Sequence, residues 1–262
     1  MEKVTLSMIQ LDNCLYKGSE IVNINLVCPL IVLDNEENTN IRKNDLKKLK
    51  MLVDSNENLI KAEVAREATL KEVIRNKISR IIDSNNFHLE QVYTLGEEKY
   101  YFDKSIDILY LAVTNIENIK KLNENYKLVD FHINDNVISF GNNNYKFKTK
   151  ERILNNNIEY YHEIKADKLE LEKELLEILI VYKLLRSKLD NSDLIFKFMP
   201  KYFTLEDVRI VYEMLKEVSV DKSNFRKKIV KYCVETDAGI SKKGYRPSKT
   251  YTFKVMKGDI WL

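Results

Sequence analysis

The last quarter of the chain limits its fold more than any other stretch. It reads FTLEDVRIVYEMLKEVSVDKSNFRKKI and, after a short gap, KKGYRPSKTYTF. Thr204 is a good helix N-cap, with Asp207 three residues on as the capping-box acid and Phe203 and Val208 placed as a staple. Leu205, Val208, Val211, Tyr212 and Leu215 recur at helical spacing. A second helix opens at Asp221, another N-cap, and places Phe225 and Ile229 on one face. At about 100° per residue the opposite face carries Ser223, Asn224, Arg226, Lys227 and Lys231. Beyond Cys233, short alternating segments around Gly239 and Gly244 suit a two-stranded wing. The order is helix, turn, basic helix, hairpin.

Charge follows that order. Residues 221–257 hold eleven Lys/Arg against three acids, a net +8, while the whole chain is +3 and the remainder therefore −5. A helix with lysines outward is most often a solvated face, and this chain is lysine-rich throughout. Here the charge gathers on a basic helix and a basic hairpin, the electrostatic footprint of a winged helix-turn-helix on double-stranded DNA. Asn224 and Arg226 are side-chain types that read bases by bidentate contacts in the major groove. Lys222, Lys227, Lys242, Lys243 and Arg246 are expected mostly on phosphates, with Ser223, Lys231 and Lys249 on the same surface.

At 262 residues the chain is long enough for one large or two small domains. Cys14, Cys28 and Cys233 show no paired spacing, as for reduced thiols in a cytoplasmic protein. His88, His132 and His162 stand apart from one another and from the cysteines, so no metal spacing appears and no cofactor is implied. Neither GxxxxGK[ST] nor GxGxxG occurs. The longest apolar run, LLEILIVYKLL, is broken by Glu177 and Lys183 and is too short to span a bilayer.

Residues 4–11 and 20–28 read as strands joined by a turn at Lys17-Gly18, and PLIVLDNEENTN adds a strand and a loop. Residues 43–54 and 63–82 read as helical; 89–95, 107–114, 136–140, 145–149 and 157–163 read as strands. A long helix from about Asp167 to Leu189 is apolar on more than one stripe, so it must be buried on most sides, by its own domain or by a partner subunit. The first 190 residues are thus α/β with a mixed sheet, and 191–262 form the winged helix.

The tail resembles the winged-helix domain of the Nudix-related transcriptional regulators of the NrtR type. The resemblance rests on Met199-Pro200, Phe203-Thr204-Leu205, Val211-Tyr212-Glu213, Asp221-Lys222, Asn224 through Ile229, Arg246-Pro247 and Tyr251-Thr252-Phe253, with Tyr245 inserted where the family usually has Gly. It implies a Nudix-like α/β/α sandwich in front. Leu89–Gly96 resembles the segment after the Nudix box, Ile106–Val113 the strand after that, and Thr69-Leu70-Lys71-Glu72-Val73 the start of the box helix.

The box itself is almost gone. In that register its glycine falls on Ala62, its first glutamate on Ala68, and its Arg-Glu-apolar-x-Glu-Glu core on Asn76 through Ile81, where only Ile78 fits. A shift of one residue recovers Glu67 and Arg75 but leaves Asn76, Ser79 and Arg80 where acids belong. No Asp or Glu lies between Glu72 and Asp83, and 77 residues separate Gly18 from Gly96 without a glycine. Pyrophosphate cleavage in this fold needs clustered carboxylates to hold divalent cations; here Lys77 and Arg80 occupy those turns. The resemblance therefore implies a regulator: a homodimer on a palindromic operator, with a catalytically inactive Nudix-like domain sensing a nucleotide- or sugar-type effector such as an ADP-ribose-like molecule. The alternatives are a divergent nucleoside-diphosphate hydrolase with a rebuilt metal site, and an architectural DNA-binding dimer with no effector.

Overall fold

The computed structural model describes residues 23–36, 46–65, 67–83, 86–96, 105–154, 157–241 and 248–254. The expected strand at 4–11 and the turn at Lys17-Gly18 lie outside them, as do Lys242, Lys243 and Arg246.

A mixed sheet of ten strands is the centre of the molecule. Strands β1 (Asn23–Cys28) and β2 (Leu30–Glu36) are one extended segment interrupted at Pro29. Both pair in parallel with β6 (Ser105–Asn115) without a shift in register, from Asn23↔Ser105 to Leu33↔Asn115. On the other side of that segment lie β3 (Leu46–Asp54) and β4 (Ile60–Glu63), antiparallel to β2 and β1 respectively. Beyond β3 the sheet continues through β7 (Tyr126–Asn134), β8 (Val137–Phe140), β9 (Asn143–Leu154) and β10 (Asn157–Ile164), each antiparallel to the last. Strand β5 (His88–Leu95) pairs with β6.

Alternation along these strands builds two cores, as period-2 side-chain geometry requires. Leu26, Cys28, Leu30, Val32, Leu52 and Ala112 face helix α1 (Leu70–Ile78) through Ile74 and Ile78. Val27, Ile31, Leu33, Met51, Leu109 and Val113 face helix α2 (Leu169–Lys188). The layers are helix, sheet, helix, the expected α/β/α sandwich.

Three features depart from the sequence reading. Residues 46–54 form a central strand, not a helix: Leu49, Met51 and Val53 alternate into one core, and pairing to both β2 and β7 outweighs the helical spacing of Leu46, Leu49 and Val53. The stretch 63–82 is helical only from Leu70 to Ile78, because β4 occupies its start and Thr69 caps α1. Strand β7 stands where no element is expected. The apolar stripes of α2 are covered by the chain itself, with Leu175 through Leu179 buried, so that helix gives no argument for a partner subunit.

The winged helix follows α2 through a 3-10 turn (Leu194–Phe198), then α3 (Leu205–Lys216), α4 (Lys222–Ile229) and the wing strands β11 (Cys233–Ser241) and β12 (Ser248–Phe253). Its core is continuous with the α2 side of the sheet: Phe198, Leu205, Val208 and Leu215 belong to one cluster with Leu109, Val113 and Leu185. Polar contacts fasten the same seam. Asn115 donates its side-chain amide to the Phe198 carbonyl at 2.9 Å, and the Tyr182 hydroxyl donates to the Leu215 carbonyl at 3.3 Å. Lys47 of β3 meets Asp207 at 2.9 Å, its side chain only 6% exposed.

Candidate nucleic-acid interface

The terminal domain presents α4 on a rigid mount. Thr204 and Asp207 form the expected capping box: the Asp207 N–H donates to the Thr204 hydroxyl at 3.1 Å and the Thr204 N–H to the Asp207 carboxylate at 2.8 Å. Burial works to raise the Asp207 carboxyl, but Lys47 and the Thr204 groups hold it below its ordinary value. Helix α3 ends at Glu217, whose φ of 55° is left-handed. The Val220 N–H then donates to the Glu213 carboxylate at 2.8 Å, and Arg209 bridges Glu206 and Glu213 at 2.7 and 2.6 Å. Asp221 caps α4 by accepting the Asn224 N–H at 2.8 Å.

Phe225 and Ile229 are buried as expected, with Phe225 5.2 Å from the Tyr212 ring. Ser223, Asn224, Arg226, Lys227 and Lys231 are all exposed. Lys222 is 74% exposed and reaches Glu206 at 3.3 Å. Lys231 lies over the Tyr232 ring at 4.9 Å. Asn224 sits on the flank of α4 and also lines a cleft beneath it. Burial pushes the Cys233 thiol up to about 11, so it stays a neutral thiol at the base of the wing.

The wing is bound to the helices by a two-residue bridge, Phe203 N–H to Tyr251 carbonyl at 3.0 Å and Tyr251 N–H to Phe203 carbonyl at 2.8 Å. Lys249, expected on the DNA surface, is exposed but paired across the wing with Glu235 at 2.7 Å. The pair is largely exposed and therefore weak, so Lys249 stays available to an outside phosphate.

The region that would carry Nudix chemistry is differently employed. Glu72 closes the capping box of α1, accepting the Thr69 N–H at 2.8 Å, and that bond lowers its carboxyl below the ordinary range. Lys77 donates to the Lys61 carbonyl. Arg75 lies over the Phe87 ring at 5.1 Å, and Lys120 donates to the Ser79 carbonyl at 2.7 Å.

On the other face of the sheet lies a charge cluster that no local residue pattern announces. Asp107 takes Lys173 at 2.5 Å and the Asn25 amide at 2.9 Å, and Glu174 takes Lys61 at 2.5 Å. Beside them Glu177 is 0% exposed, and neither of its oxygens makes a hydrogen bond that meets ordinary geometry. Burial first, then the neighbouring Asp107 carboxylate, pushes the Glu177 carboxyl well above its ordinary range, favouring its protonated form.

A family model described as the NrtR DNA-binding winged helix domain matches residues 195–253. No curated protein matches significantly. Among solved structures, a MutT/nudix family protein from Enterococcus faecalis is similar over 96% of this chain and 94% of its own, at a TM-score of 0.62 and 16% identity. Shewanella oneidensis NrtR complexed with a 27mer DNA is similar over 87% of this chain and 93% of its own, at 0.55 and 14% identity. The same Shewanella protein without DNA gives 88%, 94%, 0.55 and 14%. The chain therefore joins a Nudix-like α/β domain to an NrtR-type DNA-binding winged helix.

Proposed function

We propose that this protein is a transcriptional regulator that binds a double-stranded operator through α4 and the wing, and does not hydrolyse nucleotides. The observation that carries this is the exposed basic face of α4, capped by Asp221 and seated on Phe225 and Ile229, inside a domain that matches the NrtR DNA-binding winged helix. Arg226 is the leading base reader, with Asn224 beside it on the flank. Lys222, Ser223, Lys227 and Lys231, together with Lys242, Lys243 and Arg246, belong to the phosphate-facing surface. The domain boundary falls at residues 190–191. The working form is a cytoplasmic homodimer, since two-fold operators mirror two-fold proteins. Among the described residues no helix is long and apolar enough to cross a membrane.

The test is selection of a bound sequence from random duplexes, followed by titration of the selected DNA. Arg226→Ala should weaken binding by about 1–3 kcal/mol and relax specificity at one base, while Lys227→Ala should weaken all sequences alike and lower the salt slope by about one. Unchanged affinity and selectivity in Arg226→Ala would remove α4 as the reader. A stoichiometry of two chains per operator checks the homodimer.

The Nudix-like lobe is assigned to sensing a nucleotide- or sugar-type metabolite of the ADP-ribose class. The hydrolase alternative is disfavoured by α1, where Glu72 serves as a cap and no acid follows until Asp83. Incubation of the full chain with ADP-ribose, NADH, nucleotide sugars or dinucleoside polyphosphates and Mg²⁺ or Mn²⁺ should give no metal-dependent monophosphate release, while one of them should raise the melting temperature. Turnover at ~1 s⁻¹ or faster, an ordinary enzymatic rate, would restore the hydrolase reading.

A further inference from the structure

A cleft of about 730 Å³ opens beneath α4. That volume lies in the range of small-molecule sites. One wall is α4 itself, through Asn224, Phe225 and Lys228. The opposite wall is the turn from α2 into the 3-10 segment, residues 189–193, joined by Tyr212 of α3. Its interior is aromatic: Phe196 and Phe253 are stacked with centroids 4.7 Å apart, Tyr212 and Phe225 meet at 5.2 Å, and Tyr232 lies 6.3 Å from Phe196. Ring faces and edges suit a flat, unsaturated body better than a branched aliphatic one.

The rim decides the charge of the occupant. Three carboxylates reach it, and each is already engaged. Asp190 accepts the Tyr212 hydroxyl at 2.5 Å and the Lys216 ammonium at 2.8 Å. Asp193 meets Lys197 at 3.1 Å, and that ammonium also lies over the Phe253 ring at 5.5 Å. Asp221 caps α4 through one oxygen, where the helix N-terminus offsets part of its charge. Lys228 is different. It is exposed, lines the cleft, and makes no hydrogen bond or ion pair among the described residues. It stands about 60° around the helix from Phe225, on the cleft side and away from Arg226 and Lys227. Asp190 feels it only at longer range. Lys228 is therefore the one cation of the lining with no carboxylate at ion-pair distance among the described residues.

We propose that this cleft binds a small, flat, largely apolar molecule bearing one anionic group, with its ring system against Phe196, Tyr212 and Phe253 and its anion on Lys228. The site takes no residue from α1, where the Nudix box would fall. It gives the winged helix a ligand of its own, on the Phe225 and Lys228 side of α4, with Asn224 at the edge shared with the DNA-reading face.

Calorimetric titration of the full chain tests this with three naphthalenes that differ in charge: 1-naphthoate, neutral 1-naphthalenemethanol and cationic 1-naphthylmethylamine. Naphthoate should bind saturably, one per chain, with the amine at least about tenfold weaker, as loss of a charge-assisted contact implies. Lys228→Met changes only a rim side chain; it should weaken naphthoate by a similar factor and level the preference among the three. Val220→Trp, which fills the cleft from its lining, should abolish binding. Arg226→Ala should leave naphthoate binding unchanged even if it destroys DNA binding, so the site and the DNA reading fail separately. Absence of saturable naphthoate binding, equal affinity for the amine, or undiminished binding in both cleft variants would overturn the proposal.

Discussion

Phe198→Ala is expected to destabilise the protein by about 3–5 kcal/mol, and to do so in both lobes at once. Phe198 is fully buried where the winged helix meets the sheet, and its carbonyl accepts the Asn115 amide from β6. Its cluster runs from Leu109 and Val113 of β6 through Leu185 of α2 to Val208 and Leu215 of α3. Truncation opens a cavity that neither side can close, because both are held by paired strands or capped helices. Amide hydrogen exchange reads the result in the two lobes separately. Protection of β6 and of α3 should fall together, as in one cooperative unit. Faster exchange in α3 with β6 unchanged would mean the seam is only a contact between independent folds.

The second large effect is at the buried charges. Asp107→Ala should cost about 3–5 kcal/mol, the usual result of removing one partner from a buried pair. It strands the Lys173 ammonium, whose side chain is 12% exposed, beside a fully buried Glu177. The pH dependence identifies the mechanism. Burial would raise the Asp107 carboxyl, but Glu177, Lys173 and Asn25 hold it below 3.8, so its contribution is present above that value and is lost as pH falls through its lowered pKa. Glu177 has the opposite sign. Its folded-state pKa is raised above 4.5, so the folded protein keeps a proton that the unfolded chain releases. Stability from this group is full below about 4.5 and declines as pH rises toward its raised pKa. Glu177→Gln mimics the protonated form. It should flatten that decline and raise the melting temperature at neutral pH, each kcal/mol gained being worth about 2–4 °C. Urea titrations of wild type, Asp107→Ala and Glu177→Gln between pH 4 and pH 9 are the check; a wild-type profile no steeper than that of Glu177→Gln would place the proton elsewhere.

The parts of this fold that could be read from residues alone are those fixed by local chemistry. Thr204, Asp207 and Asp221 declare two helix starts through short-range hydrogen bonds, and Phe225 with Ile229 fixes which face of α4 is hidden. Strand β3 misleads because LKKLKMLV carries apolar residues at both helical and alternating spacings; its partners β2 and β7, far along the chain, decide between them. Strand β7 does carry a period-2 signal in Val129, Phe131 and Ile133, blurred by Leu128 before it. Nothing local announces that Lys77 will meet the Lys61 carbonyl, that Glu235 will hold Lys249, or that Lys173 and Glu177 will close over Asp107. Those are facts of sheet order, and the cleft beneath α4 is one as well, assembled from the end of α2, the 3-10 turn, both helices and the last residue of the wing.

The continuity of the core ties the two halves to one another. A chain severed at residue 190 would release a fragment bearing Phe196, Phe198, Leu205 and Val208, with the counterparts left behind in Leu185 and Val113. Such a fragment is poorly suited to being shuffled onto unrelated neighbours or expressed alone. A destabilising substitution on either side of the seam therefore loosens packing that both halves share.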